Sequence, residues 1–259
     1  FYKTDIDPNH QVQIVRIMGH IGSEIAINNL LNKLTHTNRE VIGQAILSLR
    51  ICNFTADEKH KQRLIQVIDN IIAIIAWNLA AMASLNNIEK AEKLKAAFDE
   101  EQTRNYSLLF EALSVAYDQE SVIHVQENIN IGSSESIGFA IELLDIFVDD
   151  EIKPKLFPLI EDISDLDKVR QLEDHYPVKL MPELELIKAI LNKNPNEINR
   201  YTKHCALGLL FNKTDIQVDN TLIAQIFNPD YLLSETSAII CHSNKPDAYR
   251  NVSKRLEIK

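Results

Sequence analysis

The sequence predicts an all-α protein built as a stack of helix pairs, an arrangement known as a solenoid. One observation is a repeated phrase: residues 42–49 (IGQAILSL) recur 95 positions later as residues 137–144 (IGFAIELL). A looser third copy of residues 30–41 follows after 192 positions, close to twice that spacing. The composition agrees, since 45% of the residues are hydrophobic and only 6 are glycine. Helical units that recur at multiples of about 30 to 50 residues bury their apolar faces only against neighbouring units.

Apolar spacing predicts three helices in the first 51 residues. In each of them, apolar residues recur every three or four positions and therefore lie on one face. Gly22 supplies the stop of the first helix, and Ser23 supplies the N-cap of the second. The expected helices are residues 11–21, 23–34 and 39–51.

The next two predicted helices are longer than ordinary repeat helices, and we expect them to form a central hairpin over residues 56–85 and 88–117. The most membrane-like stretch of the chain, residues 64–85, lies in the first of them. Asn78 and other polar residues interrupt this stretch, so that about seven continuous apolar residues remain before Asn78, where a membrane span needs about 20. We therefore expect a buried central helix and no membrane insertion of this chain.

Prolines and capping residues define the remaining helices. Pro154 suits the first turn of a helix, whereas Pro158 falls inside one and should kink or restart it. Residues 174–181 are the plausible linker, and we expect a bend there. The whole chain, residues 1–259, is then a single solenoid of about ten to twelve helices. The later segments expected to be helical are residues 120–129, 134–148, 151–163, 165–173, 182–191, 195–210, 220–227, 232–242 and 246–256.

Gly43 and Gly138, the glycines of the repeated phrase, lie inside predicted helices. Glycine inside a helix costs about 1 kcal/mol relative to alanine. This cost is understandable if another backbone packs closely against the glycine. We therefore expect a helix crossing at both positions.

The charge pattern points to a basic partner. The net charge is −10, and residues 142–174 carry 11 acidic and 4 basic groups. No segment has the stripe of Lys and Arg that displaces counterions from nucleic acid, so a nucleic-acid partner is not expected. An acidic surface steers basic segments toward it, and we expect the contact surface within residues 89–174. The candidate partner-binding residues are Asp145, Asp149, Asp150, Glu151, Glu161 and Asp162.

The cysteines and the N-terminus indicate where the chain works. Cys52, Cys205 and Cys241 are odd in number and far apart, which does not suit a disulfide framework and favours the cytoplasm. The chain starts at Phe1 with no initiator methionine and no signal segment. We therefore expect it to be an excised part of a longer protein.

No catalytic, cofactor or metal site is predicted. The pairs His204-Cys205 and Cys241-His242 contain the ligands of a tetrahedral zinc site. Neighbours on a helix point about 100° apart, so we favour buried packing of the cysteines. The acidic residues lack the order of a calcium-binding loop and are better explained as solvated helix ends. The chain also lacks the Gly-x-Ser-x-Gly elbow of a serine hydrolase.

Several phrases carry a resemblance to a known family. An apolar helix with a central Ala, a polar turn and a second helix ending in Leu-x-x-Leu before Asp or Asn resembles HEAT repeats. Three phrases resemble, more narrowly, the HEAT segment of bacterial membrane proteins related to nucleotide (ATP/ADP) translocases. These are residues 140–145 (AIELLD), 156–162 (LFPLIED), and 227–230 (FNPD) with Glu235 following. The resemblance implies a HEAT-like superhelix that forms a cytoplasmic module of a transporter-like membrane protein.

The expected function is that of a non-catalytic scaffold on the cytoplasmic side of a membrane. It would bind or position a protein segment, including segments of flanking domains of the same chain, without a cofactor. The alternative is a lyase- or hydrolase-type enzyme with a small-molecule pocket on the concave face. A third possibility is a relay between flanking modules. A deep apolar pocket with a few convergent polar groups would favour the enzyme, and a shallow continuous groove would favour the scaffold.

Overall fold

The computed structural model describes residues 7–86, 88–211 and 220–256, and over these ranges the chain is all-α. The all-α prediction is therefore confirmed. The described residues form fourteen helices, more than the ten to twelve expected but as many as the helical segments predicted one by one. The first nine are α1 (Pro8–Ile21), α2 (Glu24–Lys33), α3 (Arg39–Ile51), α4 (Glu58–Leu85), α5 (Glu92–Ala116), α6 (Gln119–Ile131), α7 (Ser134–Phe147), α8 (Lys153–Ile160) and α9 (Asp165–Leu172). The others are α10 (Glu183–Asn192), α11 (Arg200–Gly208), α12 (Asn220–Ile226), α13 (Tyr231–Asn244) and α14 (Pro246–Leu256).

The helices belong to two compact units. The first unit contains residues 1–80 and 102–178, and the second contains residues 81–101 and 179–259. Both α4 and α5 therefore contribute residues to each unit. The chain passes into the second unit between Val178 and Lys179, within the predicted linker. The bend expected there stays a prediction.

The α4 helix supplies much of the core of the first unit. Its buried side chains include Leu64, Ile68, Ile72 and Ile75, none of which is exposed to solvent. Burial of each such side chain contributes about 1.5–3 kcal/mol. In the described part of the chain, α4 is the one helix long and apolar enough to cross a membrane, and 67% of its apolar window is buried inside the protein. Helix α5 lies against α4, since Gln102 Nε2 donates to the Ile75 carbonyl at 3.4 Å.

Four helices share one register of caps and buried positions. Each follows an N-cap residue whose side-chain oxygen accepts backbone N–H groups of the first turn. The residues three, seven and eleven positions after each cap are buried. This register puts the repeated phrase at equivalent positions of α3 and α7. Helix α13 follows its cap with the same spacing of buried residues. The caps and buried residues are Ser23 with Ala26, Leu30 and Leu34; Asn38 with Val41, Ala45 and Leu49; Ser133 with Ser136, Ala140 and Leu144; and Asp230 with Leu233, Ser237 and Cys241.

Within each unit, helices other than α4 and α5 contact mainly helices one or two places away in chain order. In the first unit, α1, α2 and α3 contact one another, and α6 to α9 contact in sequence. In the second unit, α10 contacts α11 and α12, while α13 contacts α11, α12 and α14. Stacked helix pairs require contacts of this order. The superhelix itself stays a prediction.

A close crossing of two helices lies at Gly19. The prediction of a helix crossing at Gly138 is wrong. A Cβ atom on Gly138 would meet no atom within 4 Å, and one on Gly43 would meet Leu108 Cδ1 at an ordinary 3.5 Å. A Cβ atom on Gly19 would lie 2.7 Å from Ser48 Cβ and 2.9 Å from Ser48 Cα. Helices α1 and α3 therefore approach so closely that only glycine fits between them.

Pro158 ends its helix early and does not restart it. Helix α8 runs through Pro158 and ends two residues later at Ile160, which is shorter than the predicted segment 151–163. Pro158 cannot donate a backbone hydrogen bond to the preceding turn, so the helix has little support beyond it. The restart predicted as one outcome at Pro158 is therefore wrong, and the kink predicted as the other stays a prediction.

Residues at the start of the predicted linker are tied to the first unit. The Tyr176 hydroxyl donates to Asp69 Oδ1 at 2.6 Å, and Lys155 Nζ donates to the same oxygen at 2.7 Å. Burial and the hydrogen bond to Asp69 raise the pKa of Tyr176, so the phenol stays protonated. The chain is therefore anchored up to Tyr176, just before it passes into the second unit.

Candidate functional site

The acidic residues predicted to bind a partner lie in two groups at opposite ends of α7. Asp162 accepts a hydrogen bond from Ser134 Oγ at 3.0 Å, at the first residue of α7. Asp145 lies eleven residues further along the helix, which corresponds to about 17 Å. The structure therefore does not bring all six residues together. The N-terminal group consists of Glu161 and Asp162, and the C-terminal group consists of Asp145, Asp149, Asp150 and Glu151.

Lysines balance part of the charge of the C-terminal group. Lys153 Nζ lies 3.0 Å from Asp145 Oδ1 and 2.8 Å from Asp150 Oδ1. The hydrogen bond from Lys153 lowers the pKa of Asp150. The Asp150 side chain is nevertheless 96% exposed. The group therefore keeps ionised carboxylates in contact with solvent.

Asp149 is half-buried and is held by two side chains, one from α4 and one that directly follows α5. It accepts a hydrogen bond from the Tyr117 hydroxyl at 2.8 Å and from Lys61 Nζ at 3.1 Å. Lys61 Nζ also lies 5.0 Å from the centre of the Tyr117 ring, a cation–π distance. Burial, followed by the hydrogen bond to Asp149, raises the pKa of Tyr117. Asp149 thus stabilises the junction of α4, α5 and the turn after α7, and it is the least suited of its group to contact a partner.

A cavity of about 390 Å³ lies beside this junction, within the first unit. Its walls come from the loop after α3, the start of α4, the end of α5, the start of α6 and the end of α7. Its volume falls within the range of small-ligand sites, roughly 300–1,000 Å³. The lining residues that matter chemically are Phe54, Glu58, Lys61, Tyr117, Asp118 and Phe147.

Local sequence explains why the loop after α3 forms one wall. Asn53 has a φ of 50°, a left-handed conformation that asparagine adopts more readily than most residues. The chain can then turn back, and the Phe54 N–H donates to the Leu49 carbonyl at 3.1 Å. The Phe54 ring meets the His60 ring edge-on, with centroids 5.9 Å apart. Phe54 is therefore fixed against the start of α4.

The opposite wall is built where α5 ends and α6 begins. Tyr117 follows α5 directly, and its ring lies 5.7 Å from that of Phe147, the last residue of α7. Asp118 is the N-cap of α6 and accepts hydrogen bonds from the Ser121 N–H and hydroxyl, both at 2.8 Å. These bonds lower the pKa of Asp118 and keep it ionised. The cavity thus combines aromatic faces with carboxylates.

Several polar groups of the cavity already have partners within the protein. The Ser114 hydroxyl donates to the Phe110 carbonyl at 2.9 Å, and the Tyr117 hydroxyl donates to Asp149. Lys61 is paired with Asp149 as well. The described lining contains no histidine or cysteine. The described residues also contain no group of three His, Cys, Asp or Glu side chains that could hold a metal ion.

The two Cys–His pairs of the second unit have other roles. Cys205 and Cys241 are buried, as expected, and burial raises the pKa of both thiols. His204 Nδ1 lies 3.1 Å from the Thr236 hydroxyl. The His242 ring packs against Tyr249 at 5.2 Å. Both histidines therefore have partners on neighbouring elements.

The cavity residues were not foreseen from the sequence. Phe54, Lys61, Tyr117 and Phe147 come from distant parts of the chain, and no local pattern connects them. Asp118 alone has a readable signal, since an aspartate before a helical segment is a typical N-cap.

Comparison with protein-family models, with curated proteins and with solved structures finds no match for this chain.

Proposed function

We propose that this chain is a HEAT-like repeat scaffold that binds or positions a basic segment of a protein partner. The observation that supports this most directly is the outer face of α7, where exposed apolar and acidic side chains alternate. Phe139 and Ile146 are 52% and 81% exposed, and Glu142 lies between them in the sequence and is also exposed. Asp145 and Asp150 extend the acidic part of this face.

The helix geometry puts these residues together. Positions 139, 142 and 146 are spaced by three and four residues and therefore follow one stripe of α7. The buried stripe of the same helix contains Ala140 and Leu144. Large apolar side chains grouped on a surface are typical of interaction sites. An amphipathic helix with basic flanks has the complementary pattern of apolar and positive side chains.

The shared register of α2, α3, α7 and α13 supports the HEAT-like part of the proposal. Repeated helices that bury equivalent positions leave equivalent outer faces free to present a surface. The contacts between successive helices agree with this arrangement. In this proposal the scaffold acts on the cytoplasmic side of a membrane, as part of a transporter-like protein. Its partner is then a flanking segment of the same protein or a separate protein, and no nucleic acid is bound.

The test uses a helical peptide of leucine and arginine, about 18 residues or five turns long. We expect it to bind the chain, and a leucine–glutamate peptide of the same pattern not to bind. The double change Asp150→Lys and Glu151→Lys should weaken binding about tenfold at low salt, because like charges then meet. Asp149 is left unchanged since it holds Lys61 and Tyr117.

The matched control is the double change Glu185→Lys and Glu235→Lys, which alters the net charge equally at exposed positions of the second unit. Affinity should then stay within about twofold of the original chain. Equal weakening by both double changes, or equal binding of the acidic peptide, would contradict the proposal.

The cavity favours a second candidate, a lyase- or hydrolase-type enzyme, because its volume suits a small ligand. Catalysis there would need Lys61 or Tyr117, the two lining residues that donate hydrogen bonds to Asp149. Turnover of a panel of p-nitrophenyl esters that is lost in Lys61→Met but kept in Lys59→Met would favour the enzyme. Lys59 is exposed and lies on the same helix, so it controls for the loss of a lysine.

A further inference from the structure

The charges that line the cavity leave it negative. Lys61 is the one lysine or arginine in the described lining, and its Nζ lies 3.1 Å from both Asp149 oxygens. That charge is therefore already balanced. The carboxylates of Glu58 and Asp118 also line the cavity. Asp118 takes its hydrogen bonds from the neutral Ser121, which does not cancel its charge. A ligand that enters the cavity thus meets two further negative groups.

The walls between these carboxylates are aromatic. Phe54, Tyr117 and Phe147 all line the cavity, and Tyr117 and Phe147 are in ring contact. Lys61 Nζ already lies 5.0 Å from the centre of the Tyr117 ring, a contact between a cation and an aromatic wall of this cavity. Long basic side chains combine an apolar stem with a charged head, and arginine also stacks on aromatic faces.

The cavity lies at the C-terminal end of α7, the helix along which the partner segment is proposed to bind. Phe147 is the last residue of α7 and lines the cavity. Asp149 follows two residues later and belongs to the acidic C-terminal group. A volume of about 390 Å³ is near the lower limit for small-ligand sites and is ample for one side chain. Interfaces often take their affinity from one such anchor, and arginine is among the commonest anchors.

We infer that this cavity is the anchor pocket for an arginine or lysine side chain of the partner segment. The side chain packs its stem between the aromatic walls, and its head meets Glu58 and Asp118. This inference rests on the proposed function, because the anchored residue belongs to the segment that lies on α7.

The experiment measures binding of N-acetylarginine methylamide by the NMR shifts of the cavity amides of Ser114, Ala116 and Gln119. The matching citrulline compound has the same shape without the charge. We expect the arginine compound to shift these amides and to bind at least about tenfold more tightly than the citrulline compound. The double change Glu58→Gln and Asp118→Asn should remove this preference. Asparagine is as good an N-cap as aspartate, so α6 keeps its first turn.

The control is the double change Asp7→Asn and Glu24→Gln. It neutralises another N-cap aspartate and another exposed first-turn glutamate, at α1 and α2. The preference for arginine should then be unchanged. Equal shifts with citrulline, or an arginine preference that survives Glu58→Gln with Asp118→Asn, would overturn the anchor pocket.

The leucine–arginine peptide separates the two proposals. If the cavity double change weakens peptide binding at least about fivefold, the cavity holds a side chain of the docked segment. If peptide binding depends on Asp150 and Glu151 alone, the scaffold stands and the anchor pocket is rejected. If the arginine compound binds the cavity as tightly as the peptide does, the site is one for free small cations, and the anchor pocket is again rejected.

Discussion

The α1–α3 region and the α6–α8 region begin with the same corner and then pack differently. In each, an Ile-Gly-Ser sequence ends one helix and starts the next. Gly22 and Gly132 have positive φ values of 61° and 75°, which glycine adopts freely. Ser23 and Ser133 then cap the following helices. The two corners lie 110 positions apart and share their sequence, their positive φ at glycine and their serine cap.

The two regions differ in which helix the first helix packs on. Helix α1 packs mainly on α3, with Gly19 against Ser48, and the Ser48 hydroxyl donates to the Val15 carbonyl at 3.0 Å. Helix α6 instead packs mainly on α7. The residue 110 positions after Gly19 is Ile129, which is partly buried against the hydrophobic core. Two turns with the same sequence are thus followed by different helix packing.

The largest expected effect is a loss of stability when a methyl group is added at Gly19. Gly19→Ala should destabilise the protein by about 1–3 kcal/mol, because the added methyl group overlaps Ser48 and forces the two helices apart. The free energy of unfolding in urea measures this. Gly43→Ala is the matched control, and it should leave stability unchanged or raise it by less than about 1 kcal/mol. A Gly19→Ala protein as stable as the original would contradict the close crossing.

The two serine caps should differ in a measurable way. Ser133 and Ser136 form a reciprocal capping box, with each hydroxyl accepting the other's backbone N–H at 3.1 Å. Ser23 makes one such bond, to the Ala26 N–H at 3.3 Å. We expect Ser133→Ala to cost about 1–2 kcal/mol and Ser23→Ala about 0.5–1 kcal/mol in urea unfolding. Ser133→Asn, which still caps, should cost much less. Equal costs for the two alanine changes would mean that the reciprocal bond adds nothing.

The two regions also differ in how they attach to α5. Arg50 of α3 pairs with Glu111 at 2.9 Å, whereas the Tyr106 hydroxyl donates to the Leu159 carbonyl of α8 at 3.2 Å. Burial raises the pKa of Glu111, although Arg50 opposes this shift. A carboxyl whose pKa is higher in the folded state binds its proton more tightly there, so its contribution to stability is lost as pH rises through that raised value.

We therefore expect the attachment of α3 to weaken between the ordinary pKa of Glu111, 4.5, and the raised value. The measurement is the free energy of unfolding over that pH range, taken as the difference between the original chain and Glu111→Gln. Glu120→Gln, at an exposed position, controls for the loss of a carboxyl. A difference that does not change with pH would show that Glu111 titrates as it does in the unfolded chain.

Local features of this fold could be predicted from the sequence, because they depend on neighbouring residues. The segment 39–51 was predicted as a helix with the limits that α3 has, since Asn38 caps it and apolar residues recur along one face. The features that failed depend on long-range contact. Crossings were predicted at Gly43 and Gly138 because glycine is costly inside a helix, but the close crossing lies at Gly19, where Ser48 packs against it.

In the candidate site too, the features that depend on long-range contact could not be predicted from the sequence. Six acidic residues close in sequence were expected to form one surface, yet α7 separates Asp162 from Asp145. Asp149 is engaged by Lys61, which comes 88 residues earlier, and no pattern in the sequence connects the two. The acidic stretch could be predicted, whereas the cavity beside it could not.

The smallest expected effect is at Gly138 in α7, and its sign is opposite to that at Gly19. Gly138 lies inside the helix, is exposed, and has no atom within 4 Å of an added Cβ. Alanine restricts the unfolded chain and favours the helix, so Gly138→Ala should raise the free energy of unfolding by about 0.5–1 kcal/mol. A loss of stability would mean that some element packs on α7 at this point. If stability rises but the leucine–arginine peptide binds more weakly, the glycine serves the approach of a partner, which would explain why a helix-weakening residue stands beside Phe139.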